Sequence, residues 1–254
     1  MTAMRRSARL AAALVVAAAF SLAPAAAGDG PVCRGETFEG GRFTICAIDL
    51  DRHELALFSR DASGDPFAHF SRLPKERDGG TLVFAMNAGM YDTQLGPIGL
   101  HIEDGETLKS ANTRPGPGNF HMLPNGVFYV AQGRAGVATT QDYLARGVNA
   151  DIATQSGPML LVDGEPHPRF LPDSTSLRRR NGVCVRDDGA IVFAISDIWV
   201  NFHHFARLFR DSIGCRDALY LDGTMSSLYA PEIGRADAIR PMGPIIAAYR
   251  RSAR

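Results

Sequence analysis

Short apolar segments joined by Asp-Gly turns are the feature that most constrains how this chain folds. The dipeptide recurs at Asp104-Gly105, Asp163-Gly164 and Asp188-Gly189. Asp-Gly favours the positive φ angles of a tight hairpin turn, so each turn predicts two antiparallel strands. The predicted hairpins join residues 99–103 to 106–109, 159–162 to 166–167, and 182–186 to 190–196. A fourth hairpin is predicted between residues 43–48 and 55–58, across Asp51-Arg52-His53.

Helical signals are fewer than strand signals. Apolar residues recur at helical spacing over residues 201–213, where Asn201 can cap the start and Gly214 can end the helix. A shorter helix is predicted over residues 140–146, and single strands over residues 81–86, 217–221 and 245–249. A helix that leads directly into a strand indicates a crossover. We therefore predict a single α+β domain with a mixed, hairpin-rich β-sheet and a few helices.

The first 27 residues have the pattern of a cleavable signal peptide. Three arginines precede an apolar run over residues 10–22, which ends at the small-residue cleavage pattern of residues 25–27. A transmembrane anchor is the alternative, but a membrane span needs about 20 apolar residues and this run is shorter. We therefore predict an exported protein, periplasmic or extracellular, whose functional domain is residues 28–254.

The charge balance gives no reason to expect nucleic acid or an anionic membrane as a partner. Loss of residues 1–27 removes three arginines and no acidic residue, which leaves 24 basic against 27 acidic residues. That balance is close to neutral, unlike the strongly basic surfaces that bind polyanions. No other apolar run in the sequence is long enough to span a bilayer, so we expect no stable membrane insertion after signal cleavage.

Four cysteines follow the predicted signal peptide, at positions 33, 46, 184 and 215. An even number in an exported chain predicts two disulfides, although four cysteines allow three pairings. We favour Cys33–Cys46, which closes a short loop, and Cys184–Cys215, which joins two later elements. A reactive thiol is the alternative.

Polar and glycine residues follow several apolar strands, as expected of side chains that project into a cleft at a sheet edge. Turn chemistry is the alternative, because Asn and Asp next to Gly also supply unusual backbone angles. Arg180 can aim a planar, bidentate donor set at a phosphate. The candidates are Asn87; Thr154, Ser156 and Gly157; Arg180; Asp197 and Asn201; and Asp222, Gly223, Thr224 and Ser226.

Two more specific motifs are absent from the sequence. Because there is no G-x-S-x-G motif, Ser226 is not expected to be a lipase-type nucleophile. His203 and His204 are adjacent, so on a helix they do not share a face, and no H-E-x-x-H motif accompanies them. We expect them on a helix surface rather than in a zinc site.

Six sequence blocks occur in a fixed order between residues 87 and 227. They are Asn87-Ala-Gly-Met; Gly118-Asn-Phe with Pro124-Asn-Gly-Val-Phe; Ala153-Thr-Gln-Ser-Gly-Pro-Met; Arg180-Asn-Gly-Val; Val200-Asn-Phe; and Ala218-Leu-Tyr-Leu-Asp-Gly-Thr-Met-Ser-Ser. Together they resemble the phosphodiester glycosidase family, over about residues 43–249. The resemblance implies an α+β fold and cleavage of a sugar–phosphate glycosidic bond. Thr224 and Met225 stand where many relatives have glycine, so we expect a differently shaped substrate.

The resemblance suggests a division of roles among the candidates. Arg180 would bind the phosphate, and Asp222 would act at the anomeric carbon, as a base toward water or as a nucleophile. Asn87, Ser156, Asn201 and Ser226 would orient sugar hydroxyls, backbone amides around Gly157 and Gly223 would hold phosphate oxygens, and Asp197 is a reserve second carboxylate. No cofactor is expected, with a divalent cation near Asp222 as the alternative.

Two other functions stay open at the level of sequence. One is a non-catalytic envelope protein that binds a phosphate-bearing glycan with the same cleft. The other is a phosphodiesterase that cuts on the phosphorus side. Both need arginine, amides and hydroxyls, so residue types alone do not separate them from a glycosidase.

Overall fold

Three antiparallel β-sheets, two short α-helices and short 3₁₀ helices over Phe70–Arg72, Asn119–His121 and Pro231–Ile233 form the regular structure of the described part of the chain. The computed structural model describes residues 30–237 and 240–252, so the predicted signal peptide lies outside the described residues. In chain order the strands are β1 (Cys33–Phe38), β2 (Gly41–Ile48), β3 (His53–Phe58), β4 (Glu76–Arg77), β5 (Gly80–Asn87), β6 (His101–Glu103), β7 (Glu106–Lys109), β8 (Gly126–Ala131), β9 (Arg134–Thr139), β10 (Ile152–Ser156), β11 (Met159–Val162), β12 (Glu165–Pro166), β13 (Asn181–Val185), β14 (Ile191–Ser196), β15 (Ala218–Asp222), β16 (Leu228–Ala230), β17 (Arg235–Ala236) and β18 (Ile245–Arg250). The helices are α1 (Thr140–Arg146) and α2 (Phe202–Arg207), and a π-helical segment over Leu208–Ile213 continues α2.

The sheets contain seven, five and six strands. The seven-stranded sheet has the order β1-β2-β14-β13-β15-β11-β12, and the five-stranded sheet has the order β7-β6-β10-β8-β9. The six-stranded sheet has the order β17-β16-β5-β18-β3, and β4 pairs with β5 outside that path. The described chain is therefore mainly β, and the predicted α+β class holds only in the sense that both kinds of element are present.

The prediction of a mixed sheet is wrong. All strand pairs in the described chain are antiparallel. The helix α2 does connect two strands that run in the same direction, β14 and β15. However, β13 lies between them and is antiparallel to both. A crossover helix in the sequence does not reveal that an earlier strand is inserted between the strands it connects.

The predicted hairpin between residues 43–48 and 55–58 is also wrong. The two segments are strands, but β2 pairs with β1 and β14, whereas β3 pairs with β18. The turn between them therefore carries the chain from the seven-stranded sheet to the six-stranded sheet. Local turn chemistry predicts a reversal of direction, not which strand the next segment joins.

The three Asp-Gly hairpins are confirmed as the pairs β6–β7, β11–β12 and β13–β14. Both predicted helices are also confirmed. The Thr139 side chain caps α1, and Gly147 ends it in the left-handed conformation. The Asn201 side chain caps α2, and Gly214 is left-handed at the end of the π-helical segment.

An apolar core is shared by all three sheets. β14 shows why, because its sequence IVFAIS is buried over its whole length. Phe193 belongs to the shared core, while its neighbour Val192 packs on the opposite face of the sheet, with Phe205 of α2. Smaller clusters cover the second faces of the other two sheets, with Tyr143 of α1 on the five-stranded sheet and Phe70 on the six-stranded sheet. Strands covered on both faces have nearly continuous apolar sequences.

Two disulfides join residues that are buried in these clusters. Cys33 bonds to Cys46, its direct partner in the β1–β2 register, and Cys184 of β13 bonds to Cys215, just before β15. The favoured pairing is therefore present in the structure. The described residues from Pro31 onward form one compact unit. Among the described helices, none has the length and apolar character needed to cross a membrane.

Candidate active site

Three strands bring polar side chains together at one edge of the seven-stranded sheet. Asp222 is the last residue of β15, and its register partner Asn181 is the first residue of β13. Asn87 is the last residue of β5, in the six-stranded sheet. Because β13 and β15 are antiparallel, the start of one lies beside the end of the other. The antiparallel register therefore places residues that are far apart in sequence next to each other.

The Asp222 carboxylate accepts one hydrogen bond on each oxygen. Asn87 Nδ2 donates to Oδ2 at 2.8 Å, and the Gly223 backbone N–H donates to Oδ1 at 2.6 Å. Burial raises the pKa of Asp222 to about 6, because the charged form loses its water. The hydrogen bonds from Gly223 and Asn87 act in the opposite direction and limit the rise in the pKa. This carboxyl therefore titrates near neutrality, where it can exchange a proton with a substrate or water.

Asn181 lies at the centre of this arrangement, although it was not among the candidates from sequence. Its Nδ2 donates to the Asn87 carbonyl at 2.8 Å and to Asn87 Oδ1 at 3.2 Å. Its Oδ1 accepts from the Asp222 backbone N–H at 2.8 Å and from Ser226 Oγ at 3.2 Å. The Arg180-Asn-Gly block contains it, but in the sequence the neighbouring arginine is the more conspicuous residue.

Arg180 has a buried side chain whose donors are partly used by the protein. Its Nε donates to the Val200 carbonyl at 2.9 Å, and its Nη2 donates to the Ser176 carbonyl at 2.8 Å. The guanidinium lies 3.6 Å from the ring centroid of Phe202 and 5.5 Å from that of Tyr220. Nη1 is buried and has no hydrogen-bond partner among the described residues. An unpaired buried donor on a cation marks a place where an anionic group can bind.

Burial opposes the charge of Arg180, and its aromatic neighbours support it. Desolvation lowers the pKa of the Arg180 guanidinium from its ordinary value, while the nearby Tyr220 hydroxyl acts in the opposite direction. The face of the Phe202 ring attracts a cation, an interaction that strengthens where water is excluded. Burial raises the pKa of Tyr220 further above its ordinary value, so its hydroxyl stays neutral over an even wider pH range. The result is a fixed cation behind an apolar and hydroxyl-lined wall.

Asp222 and Arg180 line one pocket of about 350 Å³. The other residues that line it are Met90, Asn119, Ser176, Arg178, Tyr220, Gly223, Thr224 and Met225. A larger recess of about 660 Å³ lies among hairpin turns that include Asp51, Gly133 and Asp188. That recess lies at the opposite end of β13 from Asn181, and neither Asp222 nor Arg180 lines it. We assign the candidate site to the smaller pocket because it holds the half-buried carboxyl of Asp222 and the buried cation of Arg180.

The predicted hydroxyl residues are close to the pocket but bond to the protein itself. Ser156 Oγ donates to the Leu221 carbonyl at 2.7 Å, and Ser226 Oγ lies 2.5 Å from the Gly223 carbonyl. Thr154 Oγ1 accepts from the Gly89 backbone N–H at 3.1 Å. All three side chains are buried. The structure therefore gives them the task of fixing the strand ends and the loop after Asp222, not a face toward a sugar.

Two other candidates lie away from the pocket lining. The Asp197 carboxylate pairs with Arg235 Nη1 at 2.6 Å, so it has a permanent cationic partner. Asn201 Oδ1 accepts from the His204 backbone N–H at the start of α2, and its Nδ2 donates to the Pro172 carbonyl. The structure does not bring Asp197 to Asp222 as a second carboxylate. It uses Asn201 as a helix cap that also holds the loop leading toward Ser176.

The two glycine candidates have steric reasons for lacking a side chain. A Cβ on Gly157 would lie 2.7 Å from the Phe120 carbonyl oxygen, and a Cβ on Gly223 would lie 2.5 Å from the Tyr220 hydroxyl. The Gly223 N–H already donates to Asp222, so it is not open to a phosphate oxygen. Thr224, in contrast, is exposed at the pocket, as expected of a residue that limits what enters.

Sequence reasoning missed the wall of the pocket as well as Asn181. Asn119 and Tyr220 lie in quoted blocks, but neither was assigned a role. From local sequence, an Asn beside a glycine is predicted to lie in a turn, and a Tyr in an apolar strand is predicted to lie in the hydrophobic core. Met90 and Met225 also line the pocket. Only the contact between distant segments shows that these side chains share a surface.

Metal-binding residues do not cluster in the described chain. Within residues 30–237 and 240–252, no group of three or more His, Cys, Asp or Glu side chains is arranged to hold a metal ion. His204 instead packs against Phe43 and hydrogen bonds the Phe38 carbonyl. Among the described residues that line the pocket, Asp222 is the only one with a carboxyl group.

Comparisons with known proteins agree on a family and a fold. A model of the phosphodiester glycosidase family matches residues 80–246. The uncharacterized protein YigE of Escherichia coli K12 is 39% identical over 183 residues, which is 72% of this chain and 72% of that protein.

Two solved structures share the fold at low sequence identity. One is the catalytic domain of zebrafish N-acetylglucosamine-1-phosphodiester alpha-N-acetylglucosaminidase, auto-inhibited by its pro-peptide. Its TM-score is 0.56 at 15% identity, with 89% of this chain and 85% of that chain covered. The other is a hypothetical protein from Synechocystis, with a TM-score of 0.52 at 14% identity. This chain covers 61% of that protein, and 86% of this chain is matched.

Proposed function

Because the chain belongs to the phosphodiester glycosidase family, we propose that it hydrolyses the glycosidic bond between a sugar and a phosphodiester. The observation that carries this proposal is the single pocket lined by both the Asp222 carboxyl and the Arg180 guanidinium. The zebrafish protein that shares the fold is named for this kind of bond. Fold alone does not determine a reaction, so the argument rests on what these two groups can do.

The leaving group explains why one carboxyl is sufficient for the proposed reaction. Glycosidases that release an alcohol use two carboxyl groups, one of which protonates the leaving oxygen. A phosphodiester that loses its sugar departs as a phosphate monoester, a stable anion that needs no such proton. What the site must supply is a cation for the phosphate and a carboxylate near the anomeric carbon. Arg180 and Asp222 provide this pair.

In the proposed reaction, water attacks the anomeric carbon and gives a proton to the Asp222 carboxylate. The bond from the anomeric carbon to the phosphate oxygen breaks, and its electron pair stays on that oxygen. The products are the free sugar and a phosphate monoester. In the alternative course, Asp222 attacks the carbon itself and water then releases the sugar. In both courses Asp222 must be ionised, which its pKa of about 6 permits at neutral pH.

Arg180 is proposed to bind the phosphate through the one nitrogen that the protein leaves unpaired. Nη1 is buried, and Nε and Nη2 are held by backbone carbonyls, so the guanidinium cannot turn away. A charge-assisted hydrogen bond from a pre-oriented guanidinium to phosphate is among the stronger polar contacts in proteins. The fixed position of Nη1 would set the distance between the phosphate and Asp222.

The test is to incubate purified residues 28–254 with sugar-1-phosphodiesters and to identify the product. Free sugar supports the glycosidase. Release of sugar phosphate instead identifies a phosphodiesterase, and binding without any release identifies a glycan-binding protein. Asp222→Asn should bind the substrate and lose more than about 100-fold in kcat, the usual scale for a general base. Asp217→Asn, immediately before the start of β15 and away from the pocket, is the matched control and should keep its activity.

A second arm of the assay tests phosphate recognition. Arg180→Lys keeps the charge but loses the planar donor set. Since Arg180 also bonds to the backbone, its replacement will lower stability. The informative quantity is therefore the ratio of kcat/KM for a phosphodiester to kcat/KM for an aryl glycoside within one variant. The ratio should fall by about tenfold or more. An unchanged ratio contradicts the assignment of Arg180 to the phosphate.

We further propose that the protein acts outside the cytoplasmic membrane, on a phosphate-linked glycan of the cell envelope or an exopolysaccharide. The two disulfides support this location, because such bonds persist in oxidising compartments. The reaction as proposed needs no cofactor. A divalent cation bound at Asp222 is the alternative, and full activity after dialysis against a chelator would count against it.

A further inference from the structure

Two asparagine side chains beside Asp222 have orientations that the hydrogen-bond donors around them determine. The Asp222 backbone N–H can only donate, so the Asn181 atom 2.8 Å away must be Oδ1. The Asn181 NH₂ group must then face Asn87. Likewise, the Ser227 backbone N–H lies 2.9 Å from Asn87 Oδ1, so the Asn87 NH₂ group must face Asp222. Neither amide can turn over without placing donors against donors.

Asn181 holds Asn87 at two points. Its Nδ2 donates to the Asn87 main-chain carbonyl, which fixes the end of β5, and also to the Asn87 side-chain Oδ1. If the Asn87 amide flipped, its NH₂ would face the Asn181 NH₂ and the Ser227 N–H, while its oxygen would face the Asp222 carboxylate. Both Asn87 and Asn181 are fully buried, so water cannot replace the lost partners.

We propose that Asn181 is a positioning residue for this site: together with the Ser227 backbone N–H it fixes the orientation of the Asn87 amide, and so maintains the hydrogen bond from Asn87 Nδ2 to the Asp222 carboxylate. It links the six-stranded sheet, which carries Asn87, to the seven-stranded sheet, which carries Asp222. It does not touch the substrate. Its part in turnover rests on the proposed function, but its effect on Asp222 does not, because that effect exists in the free protein.

The consequence appears in the protonation of Asp222. A donor aimed at a carboxylate stabilises the charged form and lowers its pKa, which opposes the effect of burial. The other titratable groups around the carboxyl are Tyr91, Tyr220, Arg178 and Arg180. Both tyrosines have raised pKa values and stay neutral through the range in which Asp222 titrates. The Asn87 hydrogen bond is therefore a part of this balance that substitution at position 181 can change.

The experiment is a double-mutant cycle read by the titration of Asp222, with carbon-13 NMR of its carboxyl in the absence of substrate. Asn87→Ala should raise the Asp222 pKa by about one pH unit, the scale of one hydrogen bond to a charged group. Asn181→Ala should raise it by somewhat less. The variant with both changes should titrate like Asn87→Ala alone, because Asn181 acts through Asn87. The proposal is overturned if Asn181→Ala shifts the Asp222 pKa equally in the wild-type and the Asn87→Ala backgrounds. It is also overturned if the Asp222 pKa of Asn181→Ala lies within about 0.3 pH units of the wild-type value.

Asn112→Ala is the matched control for this cycle. Asn112 also donates its Nδ2 to a backbone carbonyl, that of Ile98 at 3.0 Å, and accepts from a backbone N–H, that of Arg114 at 3.1 Å. It does not line the Asp222 pocket. This variant loses a comparable amide and should leave the Asp222 titration unchanged.

Two measurements keep the proposal testable if Asn181→Ala does not fold. Asn181→Ser retains a small polar side chain in the same place and is expected to shift the titration in the same direction. In the wild-type protein, the side-chain NH₂ resonances of both Asn87 and Asn181 should move with the midpoint of Asp222. An Asn181 resonance that does not respond to that midpoint contradicts the link.

Turnover provides an independent measure once a substrate is identified. At pH 8, where Asp222 is ionised in all variants, Asn181→Ala should lower kcat by about tenfold and change KM by less than about threefold. The midpoint of the pH profile of kcat/KM should rise together with the NMR titration. If the protein proves not to be a glycosidase, the titration result stands unchanged, so the two proposals fail separately.

Discussion

At the scale of single residues, Asp222 has conflicting surroundings. Burial raises the pKa of its carboxyl to about 6, and two hydrogen-bond donors only partly offset that effect. Arg180 is similar, because burial works against its charge while Phe202 and two backbone carbonyls hold it in place. Groups that destabilise the folded protein in this way are expected at sites where charge is used in chemistry.

The raised pKa of Asp222 predicts a pH-dependent cost to stability. The folded state keeps a proton up to about pH 6, whereas an unfolded Asp loses it near pH 3.9. Between about pH 4 and pH 7 the folded state therefore binds more protons, and the free energy of unfolding falls as the pH rises. The loss should amount to about 2–3 kcal/mol and should be complete above about pH 7.

Asp222→Asn removes this dependence, because an amide does not titrate. The free energy of unfolding of wild type and variant can be measured by urea denaturation from pH 4 to pH 8. Over this range the variant should gain about 2–3 kcal/mol of stability relative to the wild type. Asp217→Asn keeps Asp222 and should follow the wild type. Parallel curves for wild type and Asp222→Asn would show that the carboxyl is not desolvated as described.

At the scale of elements, the site forms because several strands end or begin at one place. Asn87 ends β5, Ser156 ends β10, Asn181 begins β13 and Asp222 ends β15. Apart from these terminal residues and from Thr154 and Gln155 of β10, the buried side chains of the four strands are apolar, because they lie inside the core. The polar side chains at the strand ends bond to other protein groups rather than to solvent. The packing of the strands against one another therefore sets the position of the Asp222 carboxyl.

The close approach of β5 to β10 at Gly89 can be tested by substitution. Gly89 follows β5, and a Cβ there would lie 2.4 Å from the Gln155 carbonyl oxygen and 2.5 Å from Thr154 Oγ1, both on β10. A backbone oxygen inside a sheet cannot move aside easily, so Gly89→Ala should lower the free energy of unfolding by about 1–3 kcal/mol.

The control is Gly35→Ala in β1, where an added Cβ would have no neighbour within 4 Å. Urea unfolding should place this variant within about 0.5 kcal/mol of wild type. If the two alanine variants are equally stable, the junction between β5 and β10 is looser than the structure indicates.

At the scale of the whole molecule, the two disulfides close loops of different length. Cys33–Cys46 joins neighbours in one hairpin, with a sequence separation of 13 residues. Cys184–Cys215 spans 31 residues and ties β13, which begins at Asn181, to the start of β15, which ends at Asp222. A cross-link that closes a longer loop removes more entropy from the unfolded chain.

Replacing each cysteine pair by alanines should therefore destabilise the protein to different extents. The chain-entropy relation gives about 4 kcal/mol for Cys184–Cys215 and about 3 kcal/mol for Cys33–Cys46. Both variants lose two buried sulfur atoms, so the difference between them in guanidinium unfolding reports loop closure. A greater loss from the Cys33–Cys46 pair would reverse the expected order and contradict this account.

The sequence by itself determined the local features of this protein. Asp-Gly turns specified three hairpins, because the backbone angles of a turn of two or three residues depend mainly on the residues in that turn. Thr139 and Asn201 specified helix starts for the same kind of local reason. Resemblance across six blocks identified the family, which the family model over residues 80–246 confirms. The roles of Asp222 and Arg180 stay predictions. The signal peptide over residues 1–27 stays a prediction, since it lies outside the described residues.

The tertiary structure alone decided how these parts meet. Whether β2 pairs with β3, and whether β13 lies between β14 and β15, depends on which apolar faces cover one another across the whole domain. The same long-range packing placed Asn181 beside Asp222 and Asn87, and it paired Asp197 with Arg235 instead. Hydrogen bonds between residues 38 or more positions apart, as these are, have no local signature, because no nearby sequence sets their distance. The Asp-Gly hairpin turns form locally, whereas the site at the ends of β5, β13 and β15 depends on long-range packing.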